Sequence, residues 1–208
     1  MLKLTFREIR ASFGRWLAIF AIVALGVGFF CGLRLTKTAM IHTLDVYLRE
    51  HGMYDFRLIS TLGFTDDDVS FFRAQDGVSA AEGAVWQDVL CDVNGKTGVV
   101  LHAMSIPQNI NTLDLKAGRL PENDTECVAD AWIYGEDIIG QTITLSAEND
   151  ADTLDAFRGD SFTVVGVAKS PLYINYERGT TSVGSGAVTG FIYLPSGAFD
   201  MEYYTDIY

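Results

Sequence analysis

The stretch Trp16-Leu-Ala-Ile-Phe-Ala-Ile-Val-Ala-Leu-Gly-Val-Gly-Phe-Phe-Cys-Gly-Leu33 decides the fold of this chain. It carries no charged residue, and Arg34 closes it. Eighteen to twenty residues rising about 1.5 Å each cover about 30 Å, the thickness of a bilayer core. Residues 16–35 therefore read as a transmembrane helix. Trp16 suits an anchor at the membrane interface, and the long side chain of Arg34 can reach back to the opposite one. A cleavable signal peptide is the rival reading. Its apolar region would be shorter and would end in small residues. Here Arg34 and Lys37 follow instead.

Working outward, the flanks differ in charge. Lys3, Arg7, Arg10 and Arg15 precede the span against Glu8 alone. After Leu35, ten Lys and Arg face 26 Asp and Glu, within a net charge of -12 for all 208 residues. A basic flank on one side and an acidic domain on the other fits a cytoplasmic N-terminus and an extracytoplasmic main domain. The same acidity argues against a nucleic-acid partner, because phosphate binding needs a basic patch. Solubility accounts for most of it. Within residues 1–15, Leu2, Leu4, Phe6, Ile9 and Phe13 interleave with the basic residues, the pattern of an amphipathic helix lying on the inner leaflet. Lys3, Arg7, Arg10, Arg15 and Trp16 are the candidate membrane-surface residues. Inside the span, Ala24, Gly28 and Gly32 recur every four residues, and small residues on one face let another helix approach closely. Glycine is also simply common in membrane helices, so both readings of that face stand.

Beyond the span, residues 36–53 keep a helical pattern and form an expected stalk, stopped at Gly52. Residues 54–208 form the expected outer domain. Tyr54 to Ser60 alternates like a strand. Thr65 followed by Asp66, Asp67 and Asp68 is a helix start, with a capping residue and acids at the positive end of the dipole. Val85–Val93 and Gly98–Ile106 read as strands joined by Asn94-Gly95, a strong hairpin signal. Glu126–Ala129, Gln141–Leu145, Ser161–Val167 and Gly190–Leu194 read as further strands. Ala131–Tyr134 reads as a short helix, Glu148–Asp155 as an acidic loop, and Gly179–Gly190 as a mobile Gly/Ser/Thr-rich loop. The fold class is α+β: an N-terminal transmembrane helix followed by a mixed domain with mainly antiparallel strands.

The sequence is poor in chemistry. His42, His51 and His102 are widely separated. H-E-x-x-H, G-x-S-x-G and the G-x-x-x-x-G-K-[ST] phosphate loop do not occur. Gly184-Ser-Gly lacks the strand-to-helix context that a nucleophilic serine needs. Asp150 and Asp152 resemble part of a calcium loop, but the required Gly and Glu do not follow. Cys31 falls in the span. A disulfide between Cys91 and Cys127 is one possibility in an oxidising compartment, though their spacing alone establishes no framework, and it is wrong for zinc. No catalytic, cofactor-binding or metal-ligating residue is expected.

The order of features resembles the start of an FtsX-like permease, the membrane subunit of MacB/LolE-type ABC transporters. Leu4 to Leu17 resembles the family's lead-in helix, and Ala21 to Phe30 its first span. Ala117-Gly-Arg-Leu-Pro, Glu126-Cys-Val-Ala, Ile139-Gly-Gln-Thr-Ile-Thr-Leu, Phe162-Thr-Val-Val-Gly-Val and Phe191-Ile-Tyr-Leu-Pro resemble the periplasmic core domain between the first and second spans. Each motif is ordinary strand-and-turn text; their order after one N-terminal span is more specific. The resemblance implies a bacterial plasma-membrane protein without ATPase activity of its own. It also implies a separate cytoplasmic ABC ATPase subunit and a second permease subunit, identical or different. ATP-driven movement of the outer domain would then export or extract a lipid, lipoprotein or peptide. The family has further spans beyond this region, so the 208 residues are expected to be part of a longer permease. The alternative from the residues alone is a single-pass anchored binding or sensor protein.

Overall fold

The computed structural model describes residues 12–208. The lead-in helix read over residues 1–15 lies outside the described residues as far as residue 11, and Lys3, Arg7 and Arg10 with it. The chain divides into two compact units, Met1–Tyr47 and Leu48–Tyr208.

Helix α1, Phe13–Glu50, is one continuous helix of 38 residues with none of them buried. At about 1.5 Å per residue it is about 57 Å long. Among the described residues it is the one helix long and apolar enough to cross a membrane. Its hydroxyls turn inward once the apolar block ends. Thr36 Oγ1 donates to the Gly32 carbonyl at 2.8 Å and Thr38 Oγ1 to the Arg34 carbonyl at 3.3 Å. The helix ends in a Schellman motif. Gly52 N–H bonds the Arg49 carbonyl at 3.2 Å and Met53 N–H the Leu48 carbonyl at 2.8 Å. Gly52 carries the required positive φ of 58°.

The second unit holds two sheets. Its elements are β1 Leu58–Phe64, α2 Asp66–Arg73, β2 Gly83–Ala84, β3 Trp86–Val93, β4 Lys96–Ser105, β5 Asp114–Gly118, β6 Glu126–Asp130, β7 Thr142–Leu145, α3 Ala151–Asp155, β8 Ser161–Lys169, β9 Gly190–Leu194 and β10 Tyr204–Ile207, with short 3-10 turns at Glu136–Ile138 and Ser196–Ala198. A small antiparallel sheet runs β1-β10-β2. Helix α2 opens with the capping box that Thr65 and the three acids announce. Thr65 accepts from Asp68 N–H, and the Asp68 carboxylate accepts from Thr65 N–H.

The large sheet runs β5-β8-β6-β9-β4-β3-β7, and β7 also pairs with β8. Six of its strands therefore close on themselves as a barrel, with β5 added outside β8. Only β4–β9 and β6–β8 are parallel; the other pairings are antiparallel. The α+β class with mainly antiparallel strands is observed. Alternation fills the barrel: Val89, Cys91, Leu101, Ala103, Cys127, Ala129, Ile143, Phe162, Val164 and Ile192 form one buried cluster. The outward positions of the same strands, Met104, Val128, Ala168, Phe191 and Tyr193, form a second. The β3–β4 hairpin turns at Asn94 (φ 50°) and Gly95 (φ 75°), the two positive angles of a type I′ turn.

Several expectations need correction. Ala131–Tyr134 is a turn, because Tyr134 N–H and Ile133 N–H both fold back onto the Asp130 carbonyl and no helix follows. The Glu148–Asp155 stretch is only partly loop. Asp150 accepts from Thr153 N–H at 2.7 Å and starts α3. The strand expected from Tyr54 starts at Leu58. The Gly-rich stretch Gly179–Gly190 is mostly exposed and folds back on itself through a Thr180–Ala187 bridge.

Candidate functional site

On α1, residues four apart share a stripe, so Ala24, Gly28 and Gly32 line up along one side. All three are exposed, and nothing lies within 4 Å of where a Cβ would stand on Gly28 or Gly32. Trp16 stacks between Phe13 (6.3 Å) and Phe20 (5.4 Å), giving the helix an aromatic belt beside Arg15. At the other end of the apolar block the Arg34 guanidinium lies 5.6 Å from the centre of the Phe30 ring.

The outer face of the barrel carries the most organised polar chemistry of the second unit. The connection from β8 to β9, residues 170–189, straps across β6, β9, β4 and β3. Its anchor is Arg178, whose Nε donates to Asp130 Oδ2 at 2.5 Å and Nη2 to Asp130 Oδ1 at 3.0 Å. Both side chains are buried, at 1% and 0% exposure. The remaining donor, Nη1, meets the Asn175 carbonyl at 2.5 Å. The Tyr173 and Phe191 rings flank the guanidinium at 5.2 and 5.7 Å. Ser170 and Tyr193 share a buried hydroxyl–hydroxyl bond of 2.8 Å. Burial pushes the Tyr173 phenol up to about 12 and that of Tyr193 higher still.

Further along, the strap meets a second pair. Asp88 and His102 stand directly opposite on β3 and β4, and His102 Nδ1 lies 2.5 Å from Asp88 Oδ1. A carboxylate only accepts, so Nδ1 carries the proton. Trp86 stacks on the imidazole at 4.8 Å. Burial works to raise the Asp88 carboxyl, but hydrogen bonds from His102 and the Thr181 hydroxyl win and hold it below the usual carboxylate range. The strap then closes as a small hairpin through a Thr180–Ala187 bridge. Gly184 holds a left-handed φ of 54°, which favours glycine, and a Cβ there would press on the side-chain ends of Leu90 (2.7 Å) and Val100 (3.0 Å).

The third feature is an apolar cleft of about 520 Å³ beside the small sheet. Met53, Tyr54, Phe56, Leu58, Phe72 and Ile207 line it. Phe56 is 81% exposed. Arg57 lies over the Tyr208 ring and donates to Asp206 at 2.8 Å.

Cys91 and Cys127 are free thiols at 0% exposure. Burial raises both, Cys91 up to about 12, so they act as small packing residues. Sequence reasoning singled out neither Asp130–Arg178 nor Asp88–His102. The first pair is 48 residues apart, and nothing local announces it. The second escapes the hairpin signal as well: reading the register back from Asn94-Gly95 sets position 88 opposite 101, and an irregularity between Cys91 and Val93 shifts it to 102.

No family model matches the chain, and no curated protein matches it. Several solved structures are similar, two of which follow. The first is the extracellular domain of the noncanonic ABC-type transporter YknZ from Gram-positive bacteria. It shares 14% identity and a TM-score of 0.45, over 71% of this chain and 73% of that one. The second is the periplasmic region of MacB from Actinobacillus actinomycetemcomitans. It shares 16% identity and a TM-score of 0.43, over 72% of this chain and 64% of that one.

Proposed function

We propose that the chain is the first membrane span and first outer domain of the permease subunit of an ABC transporter of the FtsX/MacB/LolE type. In this reading a separate cytoplasmic ATPase subunit hydrolyses ATP, and the resulting movement reaches the outer domain to export or extract a lipid, lipoprotein or peptide. One observation carries it. Of the segments that resemble the family, Glu126–Ala129, Ile139–Leu145, Phe162–Val167 and Phe191–Pro195 carry strands β6, β7, β8 and β9 of one closed barrel, and Ala117–Pro121 begins in the added strand β5. That barrel follows an exposed apolar helix in the chain. The basic flank before α1 belongs on the cytoplasmic side and the acidic domain outside. The Ala24–Gly28–Gly32 stripe is where a second permease subunit or another span packs. Purification of the full-length product from its native membrane tests the reading. It should bring down an ABC ATPase subunit; isolation with no ATPase in any amount contradicts it.

The apolar cleft supports a second reading, an anchored extracytoplasmic binding or sensor protein. Ligand binding by the outer domain that persists without any ATPase partner, in a reading frame that ends after Tyr208, would favour it.

A further inference from the structure

Two residues with unpaired buried donors line one small cavity. Trp86 Nε1 and Asn111 Nδ2 find no acceptor among the described residues. Both residues line the same cavity of about 20 Å³, together with Glu82, Ser105 and Tyr208. Asn111 is 2% exposed. Its orientation is not arbitrary: Tyr54 N–H donates to Asn111 Oδ1 at 3.1 Å, so the oxygen is taken and the NH₂ is left without a partner. An unpaired buried donor costs about 1–3 kcal/mol, so two in one cavity point to a ligand.

The chemistry selects that ligand. Two N–H groups need an acceptor and repel a cation. An anion would meet the Glu82 carboxylate, which lines the same cavity and already takes the N–H groups of Gln108, Asn109 and Ile110 at 2.6, 2.9 and 3.2 Å. One water needs roughly 10–15 Å³ of such space. We infer that this cavity is a binding site for a single internal water, which accepts from Trp86 Nε1 and Asn111 Nδ2. Its own hydrogens are left for Ser105 Oγ or the Glu82 carboxylate.

The water has a place in the architecture. Asn111 sits at the turn that receives the end of α1: Asn111 N–H bonds the Gly52 carbonyl at 3.0 Å and Thr112 N–H the His51 carbonyl at 2.9 Å. Asn111 holds a left-handed φ of 60° to do so. Trp86 belongs to β3 of the barrel. The water therefore bonds the turn that grips residues 51–54 to the barrel wall.

The full chain in detergent micelles or nanodiscs tests this by NMR. The Trp86 indole N–H, assigned by its disappearance in Trp86→Phe, should show cross-relaxation with a long-lived water. Asn111→Ala should abolish that cross-peak while the Trp86 indole resonance remains. A crystal structure should show one water about 2.7–3.2 Å from both nitrogens. An indole N–H without a water cross-peak in the unsubstituted chain, an empty cavity in the electron density, or an anomalous peak for bromide in it would overturn the inference.

Discussion

Replacing Arg178 by Met should destabilise the outer domain more than any other single change at the strap. The substitution keeps length and apolar character but removes every charged donor. Asp130, at 0% exposure, then keeps one hydrogen bond, from Trp132 N–H at 2.9 Å. The Asn175 carbonyl also loses its donor. Removing one partner of a buried, bidentate pair costs about 3–5 kcal/mol, because a charge is left buried and unpaired. For a domain of this size that lowers Tm by about 6–20 °C. The double variant Arg178→Met with Asp130→Leu removes the stranded charge. Its main loss is the acceptor for Trp132 N–H, about 1–3 kcal/mol. The double variant should thus be more stable than the single one. Urea unfolding followed by tryptophan fluorescence reads this directly. Trp132 reports from beside the strap, with Lys169 Nζ 4.4 Å from its ring and Tyr176 edge-on at 6.5 Å. A loss below about 1 kcal/mol for Arg178→Met, or a double variant no better than the single, would refute the claim that a closed, dry ion pair anchors the strap.

Two glycines with similar backbone angles should behave differently. Gly118 (φ 77°) has Val165 O only 2.2 Å from where a Cβ would stand, so Gly118→Ala should cost about 1–3 kcal/mol and loosen β5 from β8, whereas Gly95→Ala, with open space around it, should cost about 1 kcal/mol; thermal denaturation compares them. The bidentate Arg119 guanidinium holds the Glu126 carboxyl down at about 2. Because that folded value lies below the usual 4.5, its contribution is complete above pH 4.5 and fades as pH falls from there toward about 2. A carboxyl NMR titration should show this, and Arg119→Met should move the midpoint up. Gly28→Leu or Gly32→Leu should reduce cross-linked assembly of the full-length product while leaving membrane insertion intact, and unchanged assembly would remove the packing role of that stripe.

Much of the fold is legible because local rules and tertiary structure agree. The apolar block, the Thr65–Asp68 capping box, the Asn94-Gly95 turn and strands β6 to β9 each carry their own signal in neighbouring residues. What escapes is non-local. Strand β5 is an added edge with Leu115 and Lys116 exposed, so it lacks alternation. Strand β10 is four residues long and exists because β1 and β2 hold it from both sides. Closure of the barrel depends on β7 pairing with both β3 and β8, which no single segment encodes. Residues 179–190 read as a mobile loop because glycine, serine and threonine make up most of them. Arg178 stands just before that stretch, and nothing local announces its burial against the distant Asp130.

The proposed function requires a helix that crosses the membrane and a domain that stands outside it. A single cysteine placed by Asp152→Cys tests this most directly. Asp152 is exposed on α3, Cys91 and Cys127 are fully buried, and Cys31 belongs to the apolar block. A membrane-impermeant maleimide should label the variant in intact cells, beyond the background of the parent chain. Labelling only in inverted membrane vesicles would place the acidic domain in the cytoplasm and contradict the account.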